Sequence, residues 1–219
     1  MNKEMLLLLQ NAQYLGIELN EQQLAQFDIY KNELLQWNAK TNLISENSAQ
    51  EIITRHFLDS LTALQFIQKP TARMVDVGCG AGFPSLPLKI ALPTLELYLL
   101  ETNRKKVSFL KHMIRLLNLS TTFVLYDRTE NIMKTDTWKE KFDVLISRAA
   151  FKLSELLPQG KYFLVPGGNL IALKGPNVED ELTQCISSTE QYKISPFIQH
   201  DINVPFLDAH RKIIIGIKK

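Results

Sequence analysis

The sequence predicts an α/β protein: a doubly wound, Rossmann-like, mostly parallel sheet with an antiparallel strand at one edge and a helical extension at the N-terminus. Three observations carry this. The first 70 residues are apolar in helical period. After Pro70, short apolar runs of strand length alternate with helical patterns, which is the signature of a parallel sheet covered on both faces. The last two such runs have no helix between them, so one of them must turn back antiparallel. With 219 residues, 45% of them hydrophobic and 22% charged, the chain can bury one sizeable core but not two. The expected organisation is a single domain over 1–219, divided into a helical extension at 1–70 and a core at 71–219.

Met5 to Leu9 is the densest N-terminal apolar run, and Gln10, Asn11 and Gln13 follow at once. It is too short for a secretory core or a membrane span, so the cytoplasm is the expected location. Over 21–37, Leu24, Phe27, Tyr30, Leu34 and Trp37 recur at steps of three and four and predict one apolar helix face. Ile53, Phe57, Leu61 and Leu64 repeat the pattern over 49–68, and Lys69-Pro70 ends it. Strands are predicted at Met74–Val77, Leu95–Leu100, Phe123–Tyr126, Phe142–Ile146 and Leu170–Leu173. Tyr192–Gln199 and Lys212–Ile217 complete the sheet. Val107, Leu110, Ile114 and Leu117 mark a helix between the second and third strands.

Cys79 and Cys185 stand far apart with no metal-binding spacing, so neither zinc nor a disulfide framework is indicated. A net charge of +2 and a pI near 8.4 permit a nucleic-acid partner without announcing one. Local clustering is more informative. Arg104, Lys105, Lys106, Lys111 and Arg115, with His112 among them, lie on one predicted helix. That helix is either a solvated face or an RNA phosphate track.

The densest chemical signal is Asp76-Val77-Gly78-Cys79-Gly80-Ala81-Gly82-Phe83, at the end of the first strand. Ligands of doubly wound sheets bind beyond the carboxyl ends of the strands, and glycines there let the backbone approach them. A dinucleotide fingerprint, G-x-G-x-x-G, requires glycine at the sixth place, which Phe83 occupies. A nicotinamide-dependent oxidoreductase is therefore poorly supported. The spacing D-x-G-x-G-x-G resembles the first motif of class I methyltransferases. Their cofactor, S-adenosylmethionine, carries a sulfonium and an amino-acid tail in place of phosphates, and an acid at Asp76 suits that better. A plain tight turn is the alternative.

Glu101 ends the second strand about 20 residues beyond the glycines, where a carboxylate can accept ribose hydroxyls. It could equally cap the next helix. Thr129 and Glu130 follow the third strand, as adenine contacts or as an N-cap and a first-turn acid. Arg148 follows the fourth, where a buried strand end obliges an arginine to find a partner. Lys174 follows the fifth, as a substrate contact or a solvated terminus. On the helix over 49–68, Arg55 and Asp59 stand four apart and read as a surface pair, His56 as a structural histidine. Trp37 reads as core and Cys79 as inert.

Taken in order, Trp37-Asn38, Thr41-Asn42-Leu43, Arg55-His56-Phe57-Leu58-Asp59-Ser60, the glycine turn with Phe83-Pro84, Ile146-Ser147-Arg148-Ala149 and Ala172-Leu173-Lys174-Gly175 resemble the RsmG (GidB) family. These bacterial enzymes methylate N7 of one guanine in 16S ribosomal RNA. The resemblance spans nearly the whole chain. It implies cofactor contacts at Gly78, Phe83, Thr129, Glu130 and Arg148, with Glu101 on the ribose, beside Asp76 and Gly80 of the glycine turn. It also implies RNA contacts at Lys174, Arg211, Arg55 and His56; Arg148 and Lys174 are expected in the catalytic role, holding O6, phosphates or the cofactor's carboxylate. The family usually continues Phe-Pro-Gly, whereas Ser85 and Pro87 follow Pro84 here, which leaves the local helix start open. Glu101 stands where many members have Asp.

Guanine N7 bears no proton in a neutral nucleotide, so no general base is needed. No Asn-Pro-Pro-Tyr or Asp-Pro-Pro-Tyr string for an exocyclic amine is present. The expected partner is 16S rRNA or the small subunit, met by a monomer with no metal and no membrane. A methyltransferase of small molecules or proteins, which the modest net charge favours, and a non-catalytic ribosome-binding module are the competing readings.

Overall fold

A computed structural model of the chain describes residues 2–207 and 210–219. Helix α1 (Lys3–Tyr14) begins at Asn2, whose side chain accepts from the Met5 N–H. Helix α2 (Glu21–Thr41) opens with a capping box between Asn20 and Gln23 and ends on Asn42 in the left-handed conformation, φ 51°. It runs four residues past the predicted end because Asn38, Lys40 and Thr41 complete a last polar turn.

The helical segment at 49–61 is not uniform. It is α-helical at α3 (Ala49–Glu51) and α4 (Asp59–Leu61), and π-helical between them at Ile52–Leu58. A 3₁₀ turn, Leu64–Phe66, follows. The i→i+5 bonding of a π turn breaks the four-residue repeat, so side chains four apart no longer stack.

Seven strands form one sheet in the order β3-β2-β1-β4-β5-β7-β6. They are β1 (Arg73–Val77), β2 (Glu96–Glu101), β3 (Thr122–Tyr126), β4 (Phe142–Arg148), β5 (Leu164–Lys174), β6 (Ile198–Ile202) and β7 (Arg211–Ile217). The first five pair in parallel; β7 pairs antiparallel with both β5 and β6. The expected antiparallel edge is thus built from two strands. Strand β6 starts six residues later than Tyr192, and Ile194 makes only an isolated bridge to Lys218.

Between the strands lie α5 (Ser85–Ala91), α6 (Arg104–Leu116), α7 (Thr129–Ile132), α8 (Leu153–Phe163) and α9 (Glu179–Gln191). Pro87 falls in the first turn of α5, where its missing N–H would be unpaired in any case. The helix therefore starts at Ser85 with Pro87 in place. Alternation along β1 sends Met74 to one face of the sheet and Val75 and Val77 to the other. Met74 joins Leu8, Phe27, Phe57, Leu97 and Ile171 in the core beneath the helical extension. Val75 and Val77 join Leu145, Leu156 and Phe163 beneath α8 and α9. Phe27, Tyr30 and Phe57 are fully buried, each worth about 1.5–3 kcal/mol of transfer free energy. The extension is therefore packed into the sheet's own core.

A candidate active site at the carboxyl edge of the sheet

Strand β1 pairs with β2 on one side and β4 on the other, so the connections leaving β1 and β4 diverge and open a crevice between them. The glycine turn leaves β1 into that crevice. Gly78 and Cys79 donate their N–H groups to the Leu100 carbonyl at 3.0 and 3.3 Å, and Gly82 and Phe83 close the turn on the Cys79 carbonyl. Tyr30, reaching across from α2, donates its hydroxyl to the Ala81 carbonyl at 2.6 Å. Gly78 and Gly80 adopt φ +71° and +60°. A Cβ on Gly78 would lie 2.6 Å from that of Ala150, whereas one on Gly80 would meet only the Lys106 Nζ, at 3.9 Å.

The crevice is an open cavity of about 590 Å³, a size ordinary for a small-molecule site. It brings together Gly78, Gly80, Phe83, Arg148, Lys174, Arg55, His56 and Arg211. Four predicted residues lie elsewhere. Asp76 is fully buried behind the turn, and neither carboxylate oxygen has a hydrogen-bond partner. Burial pushes its pKa up to about 8, against the opposing pull of Ser85 and Arg148. Glu101 is buried at the base of the turn; one oxygen accepts the Gly80 N–H at 2.9 Å and the other those of Thr102 and Asn103 at 2.8 Å. With about four lone-pair directions on a carboxylate, it keeps room for one more donor. Thr129 and Glu130 do not line the cavity. Thr129 is buried at the start of α7, Glu130 is exposed, and the N-cap position falls on Arg128.

Arg148 finds the partner that its position demands. Its guanidinium donates to Asp59 Oδ2 at 2.9 Å, to the Arg55 carbonyl at 2.9 Å and to His56 Nδ1 at 2.7 Å. It also lies 5.0 Å from the centroid of the Phe83 ring. Since arginine can only donate, Nδ1 of His56 accepts and Nε2 carries the proton, which it donates to Glu46 at 2.8 Å. Burial, then the neighbouring Arg148 charge, lowers the His56 pKa to about 4, so the ring is neutral at pH 7. The imidazole stacks on Phe83 with centroids 4.5 Å apart. Burial raises the Glu46 carboxyl, but the His56 hydrogen bond and charge, with hydrogen bonds from Ser45 and the backbone, together outweigh it and hold the pKa below its ordinary value.

Asp59 is not on the surface. It is 2% exposed and holds Arg148 through Oδ2 and Arg211 Nε through Oδ1, both at 2.9 Å. Arg55, on the surface, stands 3.5 Å from Glu51. Asp59 directly follows the π turn and is buried, so it is not the surface residue that its spacing from Arg55 suggests. Lys174 is not a solvated terminus; its ammonium donates to the Phe151 carbonyl at 2.7 Å and to Glu181 at 2.8 Å. Sequence reasoning missed Asp59 and Glu46 as members of the site, and it left Lys106 undistinguished within the basic helix. Lys106 was at least flagged by its charge; nothing in the local sequence marks Glu46.

The family model for GidB, rRNA small subunit methyltransferase G, matches residues 23–213. The chain belongs to this family. A ribosomal RNA small subunit methyltransferase G from Syntrophus aciditrophicus is 42% identical over 198 residues, covering 90% of this chain and 82% of its own length. That from Alkaliphilus oremlandii is 37% identical over 214 residues, covering 97% and 89%. Among solved structures, M. jannaschii TYW2 in complex with AdoMet aligns with a TM-score of 0.58 at 17% identity, covering 82% of this chain and 78% of that one. Aeropyrum pernix fibrillarin with natively bound S-adenosyl-L-methionine aligns at 0.58 and 16%, covering 75% of each. At those identities the likeness is one of fold: this GidB chain has the class I methyltransferase architecture.

The cavity also fits the cofactor of that architecture. Two positive-φ glycines leave its floor without side chains, a fully buried carboxyl lacks a partner beside it, and Glu101 underlies the turn with spare accepting capacity. Five cations (Arg55, Lys106, Arg148, Lys174, Arg211) and two carboxylates (Glu46, Asp59) line it, so the positive charge of this nearly neutral chain is focused here. Among the described residues, no cluster could hold a metal ion, and no helix is long and apolar enough to cross a membrane.

Proposed function

We propose that this protein transfers the methyl group of S-adenosylmethionine to N7 of one guanine in 16S ribosomal RNA. The observation that carries the reading is the GidB match over 23–213, which spans the glycine turn and every cation of the cavity. In this reading the extension at 1–70 and the core at 71–219 act as one domain, a monomer working in the cytoplasm on rRNA or the small subunit.

Gly78, Gly80 and Phe83 would cradle the cofactor, with Asp76 toward its cationic groups, Glu101 toward the ribose, Arg148 toward its carboxylate, and Thr129 and Glu130 near the adenine. When bound, S-adenosylmethionine supplies a methyl group made electrophilic by its sulfonium. The chain has no proton to remove from N7, and His56 is arranged accordingly: neutral, with both ring nitrogens engaged. Methylation leaves positive charge on the guanine, so cations must be kept off N7. Asp59, the Arg55 carbonyl and His56 restrain Arg148, while Phe151 and Glu181 restrain Lys174. Arg211 commits only Nε to Asp59; its terminal nitrogens have no partner among the described residues. It is the cation best placed to take a phosphate or guanine O6, with Arg55 beside it. Rate comes from proximity and fixed electrostatics.

The test is to incubate the protein with labelled S-adenosylmethionine and either 16S rRNA or small subunits from cells lacking the gene, then map N7-methylguanosine by chain cleavage. One labelled guanine N7 is expected. Labelling at another atom, or none in either substrate, would sink the proposal.

A further inference from the structure

The outward face of α6 is a patch of cations with no counter-charge. Arg104, Lys111 and Arg115 fall within a narrow stripe at helical spacing, with Ser108 between them, and Lys105 flanks it. All four cations are exposed, and none has an ion-pair partner among the described residues. The helix contains no acidic residue. The carboxylate that reaches it from α2, Glu33, is occupied by His112 Nε2 at 2.8 Å. Exposed cations on a protein surface are ordinarily interspersed with acids, which limit self-repulsion; here the acids are missing along a whole helix.

The patch also leads to the cavity. Lys106, in the first turn of α6, is a cavity-lining residue, and Asn103 caps the same turn by accepting the Lys105 and Lys106 N–H groups. Helix α2 runs antiparallel alongside: Gln26 reaches the Leu117 carbonyl, and Trp37 packs on Phe109. Its last turn therefore brings the exposed Lys40 to the level of the first turns of α6. From Arg104 to Arg115 the stripe is about 16 Å long at 1.5 Å per residue. That accommodates roughly four nucleotides of a stacked strand at about 3.4 Å each.

We infer that the outward face of α6, with Lys40 at its mouth, is a phosphate track that holds the RNA strand flanking the target guanine. The inference rests on the rRNA reading of the neighbouring cavity. Lys and Arg without partners are what a polyanion's backbone requires, and such contacts position the RNA without reading its sequence. The track would supply affinity, leaving selection of the guanine to the cavity.

The test compares wild type with the triple variant Arg104→Ala/Lys111→Ala/Arg115→Ala. A charge-matched control, Lys141→Ala/Lys193→Ala/Lys219→Ala, removes three exposed cations from the opposite edge of the sheet. Methyl transfer to rRNA is measured against RNA concentration at several salt concentrations, and S-adenosylhomocysteine binding by calorimetry. The α6 variant should raise KM for RNA while kcat stays within twofold and S-adenosylhomocysteine affinity is unchanged. Its salt slope should be shallower by about 2, at about 0.7 per lost phosphate contact. The wild type's advantage then shrinks about 20-fold between roughly 50 and 200 mM salt. Unchanged KM and slope in the α6 variant, or equal effects in the control, would overturn the track. So would unchanged KM together with α6-dependent binding to phosphatidylglycerol vesicles, which would assign the face to a lipid surface. A wild type that binds S-adenosylhomocysteine but methylates no rRNA would overturn the function reading itself, and the track with it.

Discussion

Replacing Asp59 by Asn keeps the shape of a buried side chain and removes its charge. Asp59 makes two charge-assisted hydrogen bonds at 2.9 Å, to Arg148 and to Arg211, each worth about 1.5–3 kcal/mol. An amide can turn its single oxygen toward only one guanidinium; its NH₂ then meets the other, donor against donor. One bond keeps only the guanidinium's charge and the other is lost. The loss is reduced because Arg211 is partly exposed, its side chain at 30%, and because Arg148 keeps the Arg55 carbonyl and His56. A destabilisation of about 2–3 kcal/mol follows, at or below the lower end of the roughly 3–5 kcal/mol for breaking a fully buried pair. For a chain of this size that is a fall in Tm of roughly 5–10 °C. Calorimetric unfolding of Asp59→Asn beside Glu51→Gln, which removes an exposed carboxylate near Arg55 and Ser48, provides the scale; the exposed site should cost less than about 1 kcal/mol. If the two variants unfolded within 2 °C of each other, Asp59 would be no more than the surface partner that its spacing from Arg55 suggests, and the assignment of a buried double anchor would fail.

Three further outcomes are expected. Gly78→Ala should abolish S-adenosylhomocysteine binding in calorimetry and destabilise the fold by about 1–3 kcal/mol, because its Cβ would meet Ala150 at 2.6 Å at a positive φ; Gly80→Ala shares the positive-φ strain but meets no atom nearer than 3.9 Å, so it should lose less, and equal losses would refute the steric argument. Stability should fall by up to about 2 kcal/mol between pH 6.5 and 8, since folded Asp76 retains its proton to about pH 8 while the unfolded chain has lost it. Below pH 6.5, His56 opposes this, because the unfolded imidazole gains a proton that the folded one, with a pKa near 4, refuses. Urea titrations of Asp76→Asn should lose the alkaline decline and expose an acid-side one; an unchanged profile would exclude Asp76 as its origin. Lys174→Ala should cost about 1–2 kcal/mol and lower kcat on rRNA, since the ammonium ties the Phe151 carbonyl beside the cavity-lining Ala149 and Ala150; full turnover would restrict Lys174 to a structural role.

The parallel strands were legible because they are buried on both faces and their sequences are almost continuously apolar, as in Leu97-Tyr98-Leu99-Leu100 and Val144-Leu145-Ile146. Strand β6 was not. Ile198, Gln199 and Asp201 are exposed, and an edge strand with one neighbour carries no apolar alternation; the apolar residues at 192–197 belong to the packing against Gly216 instead. The first turn of β5 was hidden for a different reason. Val165-Pro166-Gly167-Gly168 has the composition of a turn, yet the strand begins at Leu164 and passes through it, with a register irregularity opposite Phe142 and Val144. The π turn at Ile52–Leu58 has the same apolar spacing as an α-helix, so only the structure distinguishes them.

The site was legible wherever chemistry follows a strand end, and illegible wherever a partner comes from far along the chain. Arg148 announced that it needed a partner but could not name one, because Asp59 is 89 residues away; Arg211 is a further arm of the same anchor, 152 residues from Asp59. Net charge misled for a related reason. A value of +2 for the whole chain favoured a small-molecule or protein acceptor, yet it averages over a surface on which five of the seven formally charged residues lining the cavity are cations. The field that a polyanion meets is set by that local excess, focused in a crevice with low-dielectric walls, and not by the sum. Asp59 and Glu46 fix the geometry of Arg148, Arg211 and His56 and cancel two of the five positive charges, which leaves a formal excess of three in the lining. A near-neutral chain can thus present a strongly positive site to RNA.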